Sequence, residues 1–363
     1  MLEARNHGPS WLRVAAIDDV SAVLRREPPT LDLLAPARGA ASARYSIEPD
    51  ARGDVKLGRV FLRYQSRLRL AERWGVADLE QRVRIYPNLD EPKRLALYLI
   101  RSRQIELEKR LKRQRGRGRE FESLREYRDG DERRDICWTA TARRGKPITK
   151  VYQIERNQSV WLVIDAGRLM RARVARLSKL DYAVNAALSL AHVASYSGDR
   201  VGLLAYGRAP QQLLGAGRGG AHLRLAMESL ALVHGEAAEA DHLRAAETLL
   251  AVQKGRSLVF WLTDLAETAA TPEVVELAAR VTPPHLVVFS VIGQPELAQL
   301  VARSPEDEPG MYRYVAGAEV VHRRELLLRR LRERGALALE FEPSRLSVTL
   351  VNQYLAIKER GML

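Results

Sequence analysis

A single cysteine, Cys137, occurs in the 363 residues, which excludes an internal disulfide framework and any metal cluster built on thiolates. A reducing compartment is the expectation. No apolar run approaches the roughly 20 residues that a bilayer-spanning helix needs. Met1 to Trp11 offer no basic start followed by an apolar stretch, so no signal peptide is expected. These absences predict a cytoplasmic chain, with the inner face of the membrane as the alternative location. Catalytic templates are missing too. The chain has no Walker-type phosphate loop, no H-E-x-x-H and no G-x-S-x-G, and its histidines are scattered.

What the chain does have is positive charge: 59 Lys and Arg against 45 Asp and Glu give +14, mostly as arginine. Such a balance favours anionic partners, and nucleic acid, anionic lipid and an acidic protein surface all qualify. With 46% hydrophobic residues the chain can bury a sizeable core, and its length suits two or three domains.

Residues 11–90 read as a small antiparallel β-sandwich. Leu12 to Val14, Leu31 to Leu33, Tyr45 to Ile47, Val60 to Tyr64 and Val83 to Tyr86 are short alternating runs separated by Pro, Gly and charged turns. Residues 91–120 change character to a basic helical linker. Between Arg101 and Arg119, Ile105, Leu107 and Leu111 form a thin apolar stripe, and Glu106 with Arg110 makes an i,i+4 pair. This segment reads either as a solvated linker or as a surface for phosphate or anionic membrane. It has no aromatics for base stacking, which weighs against nucleic acid.

Further on, Asp129-Gly130 marks a turn, and Ile136, Trp138 and Ala140 alternate in a strand-like pattern that should cover the following domain. From Ser159 to the C-terminus strands and helices alternate, which predicts crossover units in a doubly wound, mostly parallel sheet. The strands are Ser159–Asp165, Arg200–Tyr206, Ser257–Leu262, His285–Val291 and Ala338–Glu342. Gly215 to Gly220 reads as a flexible turn, and helices are expected at 180–197, 221–233, 241–252, 272–281, 316–334 and 347–360.

In open sheets of this kind ligands meet the crevice beyond the carboxyl ends of the strands. Asp165 and Thr263-Asp264 end two strands, and Asp241 opens a helix between them, so the three carboxylates should converge on one rim. Neighbouring carboxylates repel, and the rim then needs a cation, an arginine or protonation. Magnesium would supply the first and Arg168 the second. Helix capping, with Asp165 and Asp264 paired to Arg168 or Arg171, is the purely structural alternative.

Ile164-Asp165-Ala166-Gly167-Arg168-Leu169-Met170 and Leu262-Thr263-Asp264-Leu265 resemble the first and third loops of the von Willebrand factor A fold. Arg125, Tyr127, Gly130, Asp131, Arg134, Trp138, Thr141 and Arg143, together with Ser178 to Asp181, resemble the domain of unknown function 58 family. The resemblance implies a von Willebrand factor A-like domain over 121–363, with a family-signature segment at its start. It also implies a bacterial protein working beside a MoxR-type AAA+ ATPase in complex assembly or maturation. Members of that family carry two membrane helices ahead of the sandwich, and these 363 residues include no such pair.

One departure is marked. The adhesion loop D-x-S-x-S places two serine hydroxyls on its metal, where this chain has Gly167 and Leu169. The implied adhesion site is therefore degenerate, with weak magnesium binding at most. The expectation is a non-enzymatic adaptor that docks a protein partner on Asp165 to Arg171, Asp241 and Thr263 to Leu265, with Leu169 and Met170 as apolar anchors. The alternative is a nucleic-acid or anionic-membrane binder using Arg101 to Arg119.

Overall fold

The computed structural model describes residues 1–22, 24–25, 27–47, 49, 52–65, 71–87, 120–127, 136–153, 158–175, 177–265 and 271–362. The whole 91–119 stretch lies outside these residues, and so do Gly130, Asp131 and Arg134 of the family signature. The chain divides into two compact units, one built on Met1–Pro87 and the other on Asn88–Val174 with Ser178–Leu363.

The first unit is antiparallel throughout. Strands β1 (Leu2–Arg5), β2 (Leu12–Val20), β3 (Thr30–Ala35), β4 (Ala40–Ala43), β5 (Gly53–Gln65), β6 (Glu72–Ala77) and β7 (Gln81–Ile85) form two sheets. One is the ribbon β1-β4; the other runs β3-β2-β5-β6, with β7 also paired to β5. Alternation in β2 works as a half-buried strand should: Val14, Ala16 and Val20 are buried while Arg13 and Ile17 face out. Tyr45 to Ile47, expected as a strand, is not one. The Ser46 carbonyl accepts from Arg25 Nη1 at 3.3 Å instead of joining a ladder.

The second unit opens with a hairpin, β8 (Glu120–Glu126) against β9 (Ile148–Gln153), and a short helix α1 (Trp138–Arg144) between them. The strand expected through Trp138 and Ala140 is thus a helix. The Thr141 N–H donates to the Cys137 carbonyl at 2.9 Å, and Gly145 ends the helix in the left-handed region at φ 63°. Trp138 is 71% exposed, so it does not cover the sheet domain as expected, whereas Ile148 at the start of β9 is buried.

The main sheet contains β10 (Ser159–Asp165), β13 (Arg200–Tyr206), β14 (Pro210–Gly217), β15 (Leu258–Thr263), β16 (Leu286–Ile292) and β17 (Leu337–Phe341), after the two-residue β11 (Arg173–Val174) and β12 (Leu177–Ser178). Its order is β14-β13-β10-β15-β16-β17, with every neighbour parallel except β14. Helices α2 (Lys179–Tyr196), α3 (Gly219–Leu232) and α8 (Leu346–Glu359) cover one face. On the other lie α4 (His242–Val252), α5 (Thr271–Val281) and α7 (Glu308–Glu333). The unbroken apolar run of β10 follows from this double cover. Val160, Leu162 and Ile164 enter one core, and Trp161 and Val163 enter the other.

Locally the structure departs from the sequence pattern at β14, at the start of α7 and at one further helix. β14 continues through Gly217 and α3 starts at Gly219, so only the left-handed Gly219 (φ 88°) turns the chain in the glycine-rich stretch. Helix α7 begins at Glu308, where Asp307 caps the Gly310 N–H at 2.7 Å, rather than near Ala316. Helix α6 (Pro295–Ala302) was not anticipated, because its few turns leave no buried residue to set a period.

Candidate functional site at the strand ends

Strand order reverses between β10 and β15, so the crevice beyond their carboxyl ends is the topological switch point of the sheet. The two strand-end carboxylates stand there, but neither is open to solvent. Asp165 is buried; its Oδ1 accepts the Gly167 N–H at 2.7 Å and its Oδ2 accepts the Thr263 hydroxyl at 2.7 Å. Asp264 is buried as well, and both of its oxygens are taken: Lys179 Nζ donates to Oδ2 at 2.6 Å and Arg324 Nη2 to Oδ1 at 3.0 Å. Arg324 Nη1 extends the network to Glu340 at 2.7 Å. The third carboxylate, Asp241, caps α4 by accepting the Arg244 N–H at 2.8 Å.

The first loop is laced to the segment before α4. Arg168 N–H donates to the Ala238 carbonyl and Glu236 N–H to the Ala166 carbonyl, both at 2.8 Å. Gly167 is required by this approach: a Cβ there would lie 2.8 Å from the Ala240 nitrogen and 2.9 Å from its Cβ. Arg168 turns outward and pairs with Glu239 at 3.0 Å, both about half exposed (55% and 54%). The expected pairing with Arg168 or Arg171 therefore gives way, for Asp264, to buried Lys179 of α2 and Arg324 of α7, and for Asp165 to the Gly167 N–H and the Thr263 hydroxyl.

Burial also removes Asp165, Thr263 and Asp264 from direct contact with a partner, and Met170, fully buried, cannot serve as an apolar anchor. Arg168 and Glu239 remain at the surface, with Leu169 partly exposed. Of the family-signature residues described, Thr141 accepts the Ile148 N–H on its hydroxyl at 2.9 Å, and Arg125 Nη1 donates to the Glu126 carbonyl at 3.1 Å. Together with Tyr127, whose N–H reaches the Pro147 carbonyl at 2.9 Å, they brace the hairpin and α1 rather than the strand-end rim.

Arg324 and Glu340 carry no mark of this role in the sequence, and Lys179 enters only within the Ser178 to Asp181 resemblance. A signal existed for Lys179. It occupies the first position of an apolar helix capped by Ser178 and Asp181, where a cation opposes the helix dipole and must be repaid elsewhere. Arg324 sits in an arginine-rich helix with nothing to set it apart.

Burial pushes the Asp165 carboxyl above its ordinary value, and nearby Asp264 adds to the shift, against the opposing effects of His242, the Thr263 hydroxyl and the Gly167 N–H. A raised carboxyl pKa means that the folded state binds the proton more readily than the unfolded one. Its contribution is complete below the unfolded value of 3.8 and is lost as pH rises through the folded value. Asp165→Asn should therefore gain stability relative to the parent as pH increases from acid to neutral. Urea denaturation at a series of pH values checks this; a variant that loses stability relative to the parent as pH rises would contradict it.

The residues do not fit a divalent ion. Both oxygens of Asp165 and of Asp264 are engaged, Asp241 serves a helix end, and Gly167 and Leu169 bring no hydroxyls. No group of three or more His, Cys, Asp or Glu is placed to hold a metal among the described residues.

Residues 123–300 match the family model described as "Protein of unknown function DUF58". This segment belongs to the DUF58 family. The uncharacterized protein Rv1480 of Mycobacterium tuberculosis is 28% identical over 267 residues, covering 68% of this chain and 82% of that protein. Among solved structures, BatB from Bacteroides thetaiotaomicron is similar at 15% identity and a TM-score of 0.36, covering 56% of this chain and 99% of the other. The SpRpn10 VWA domain is similar at 17% identity and a TM-score of 0.32, covering 54% and 94%. The DUF58 match begins within β8, takes in the rest of the hairpin, the strand-end rim and Lys179, and stops before α7 and Arg324. Among the described residues no helix is long and apolar enough to cross a membrane.

Proposed function

We propose that this chain is a non-enzymatic protein-interaction module whose strand-end face docks a protein partner. The observation that carries the reading is the contrast between the two levels of the rim. Below, every carboxylate oxygen of Asp165 and Asp264 is already bound by a group of the chain itself. Above, the paired charges Arg168 and Glu239 stand half exposed on two loops held together by backbone hydrogen bonds. A general base must come within hydrogen-bond reach of a substrate, and both carboxylates are buried. Rigid loops bearing fixed charges of both signs suit recognition, in which charge steers association and sets register.

A MoxR-type AAA+ ATPase is the partner that the family resemblance suggests. Arg168→Glu should weaken binding to the purified ATPase from the same organism about tenfold or more, since the reversed charge faces both Glu239 and the partner. The same change should leave the circular dichroism spectrum intact and shift stability by no more than about 0.5 kcal/mol, because the side chain is exposed. An unchanged affinity would move the interface elsewhere.

A further inference from the structure

We propose that the Lys179 ammonium is the resident cation of the rim: it does permanently the electrostatic work for which an adhesion-type loop recruits a divalent ion. The inference concerns how the carboxylates are balanced and stands whether or not the docking reading above is right.

Four observations lead to it. Lys179 is 1% exposed, and its Nζ lies 2.6 Å from Asp264, the carboxylate at the end of β15. A lysine is rarely buried to this extent unless its charge is met, and here it is met at hydrogen-bond distance. Arg324 takes the remaining oxygen of Asp264, so both oxygens already face a cationic group of the chain itself. Lys179 also comes from the first turn of α2, directly after the capping residue Ser178, so its backbone is fixed by the capping box rather than by a loop. Finally, the loop is closed where a hydroxyl would have to enter, because the backbone of Ala240 fills the space beside Gly167. Loss of the ligand oxygens and gain of an internal cation are thus two halves of one arrangement. Buried carboxylates must be balanced by some positive charge or by a proton. Asp264 has Lys179 and Arg324, while Asp165 is drawn towards its proton by burial.

The test is thermal unfolding of the full chain and of two variants, Lys179→Met and Lys179→Met/Asp264→Asn, each in EDTA and in millimolar magnesium or manganese. The parent should melt at one temperature in all conditions. Lys179→Met retains bulk but strips Asp264 of its ammonium, and should lower Tm by roughly 10 °C. The double variant removes the stranded charge as well, keeps Glu340 as a partner for Arg324, and should recover at least half of that loss. Should Lys179→Met yield no folded protein, a cooperative transition in the double variant gives the same answer. A parent Tm that rises with magnesium would overturn the proposal. A double variant no better than the single one would also overturn it, since Lys179 would then act through packing alone.

Discussion

Asp264→Ala should be the most damaging single substitution at the rim, at a cost of about 3–5 kcal/mol. The reason is what remains rather than what is removed. Lys179 and Arg324 would stay buried with their charges while losing the carboxylate that meets both of them. Arg324 would retain Glu340 at 2.7 Å, whereas Lys179 would lose the carboxylate that its ammonium meets at 2.6 Å. A full loss approaches the whole stability of many domains, so the variant is expected to unfold at much lower urea with an unchanged slope. Urea denaturation followed by circular dichroism reads this directly. A loss below about 1 kcal/mol would mean that water reaches the ammonium and the network is not dry.

The second large effect is expected at Gly167. Replacing it by serine restores the hydroxyl of the adhesion loop in sequence, yet the backbone has no room for the side chain. The new Cβ would approach the Ala240 nitrogen to 2.8 Å and Asp165 Oδ1 to 3.1 Å. Neither loop can move freely, because Arg168 N–H and Glu236 N–H tie them together at 2.8 Å. The clash is with backbone atoms, so overpacking of about 1–3 kcal/mol is the expected cost. Magnesium affinity should not be gained, since Asp165 and Asp264 remain occupied. A stable Gly167→Ser variant that binds magnesium tightly in calorimetry would show that the loop opens readily.

The sequence makes the sheet legible for a definite reason. Strands covered on both faces must be apolar at every position, and β10, β13, β15 and β16 are marked by that requirement alone. The placement of Asp165 and Asp264 at one switch point follows from the same alternation of strands and helices. Their partners are less visible. Asp264 meets Lys179 across 85 positions of sequence and Arg324 across 60, distances over which no local pattern reports a contact. Trp138 misleads for the opposite reason. A bulky apolar residue suggests burial, but the helix propensity of its neighbours and the capping Gly145 turn it into solvent.

Calorimetric titration of the purified MoxR-type ATPase into the full chain, in EDTA, tests the central claim most directly. Metal-independent docking on the Arg168 and Glu239 loops predicts saturable binding without divalent ions on the chain, weakened about tenfold or more by Arg168→Glu and left unchanged by Asp165→Asn. Binding that requires magnesium and is abolished by Asp165→Asn, while tolerating Arg168→Glu, would contradict it.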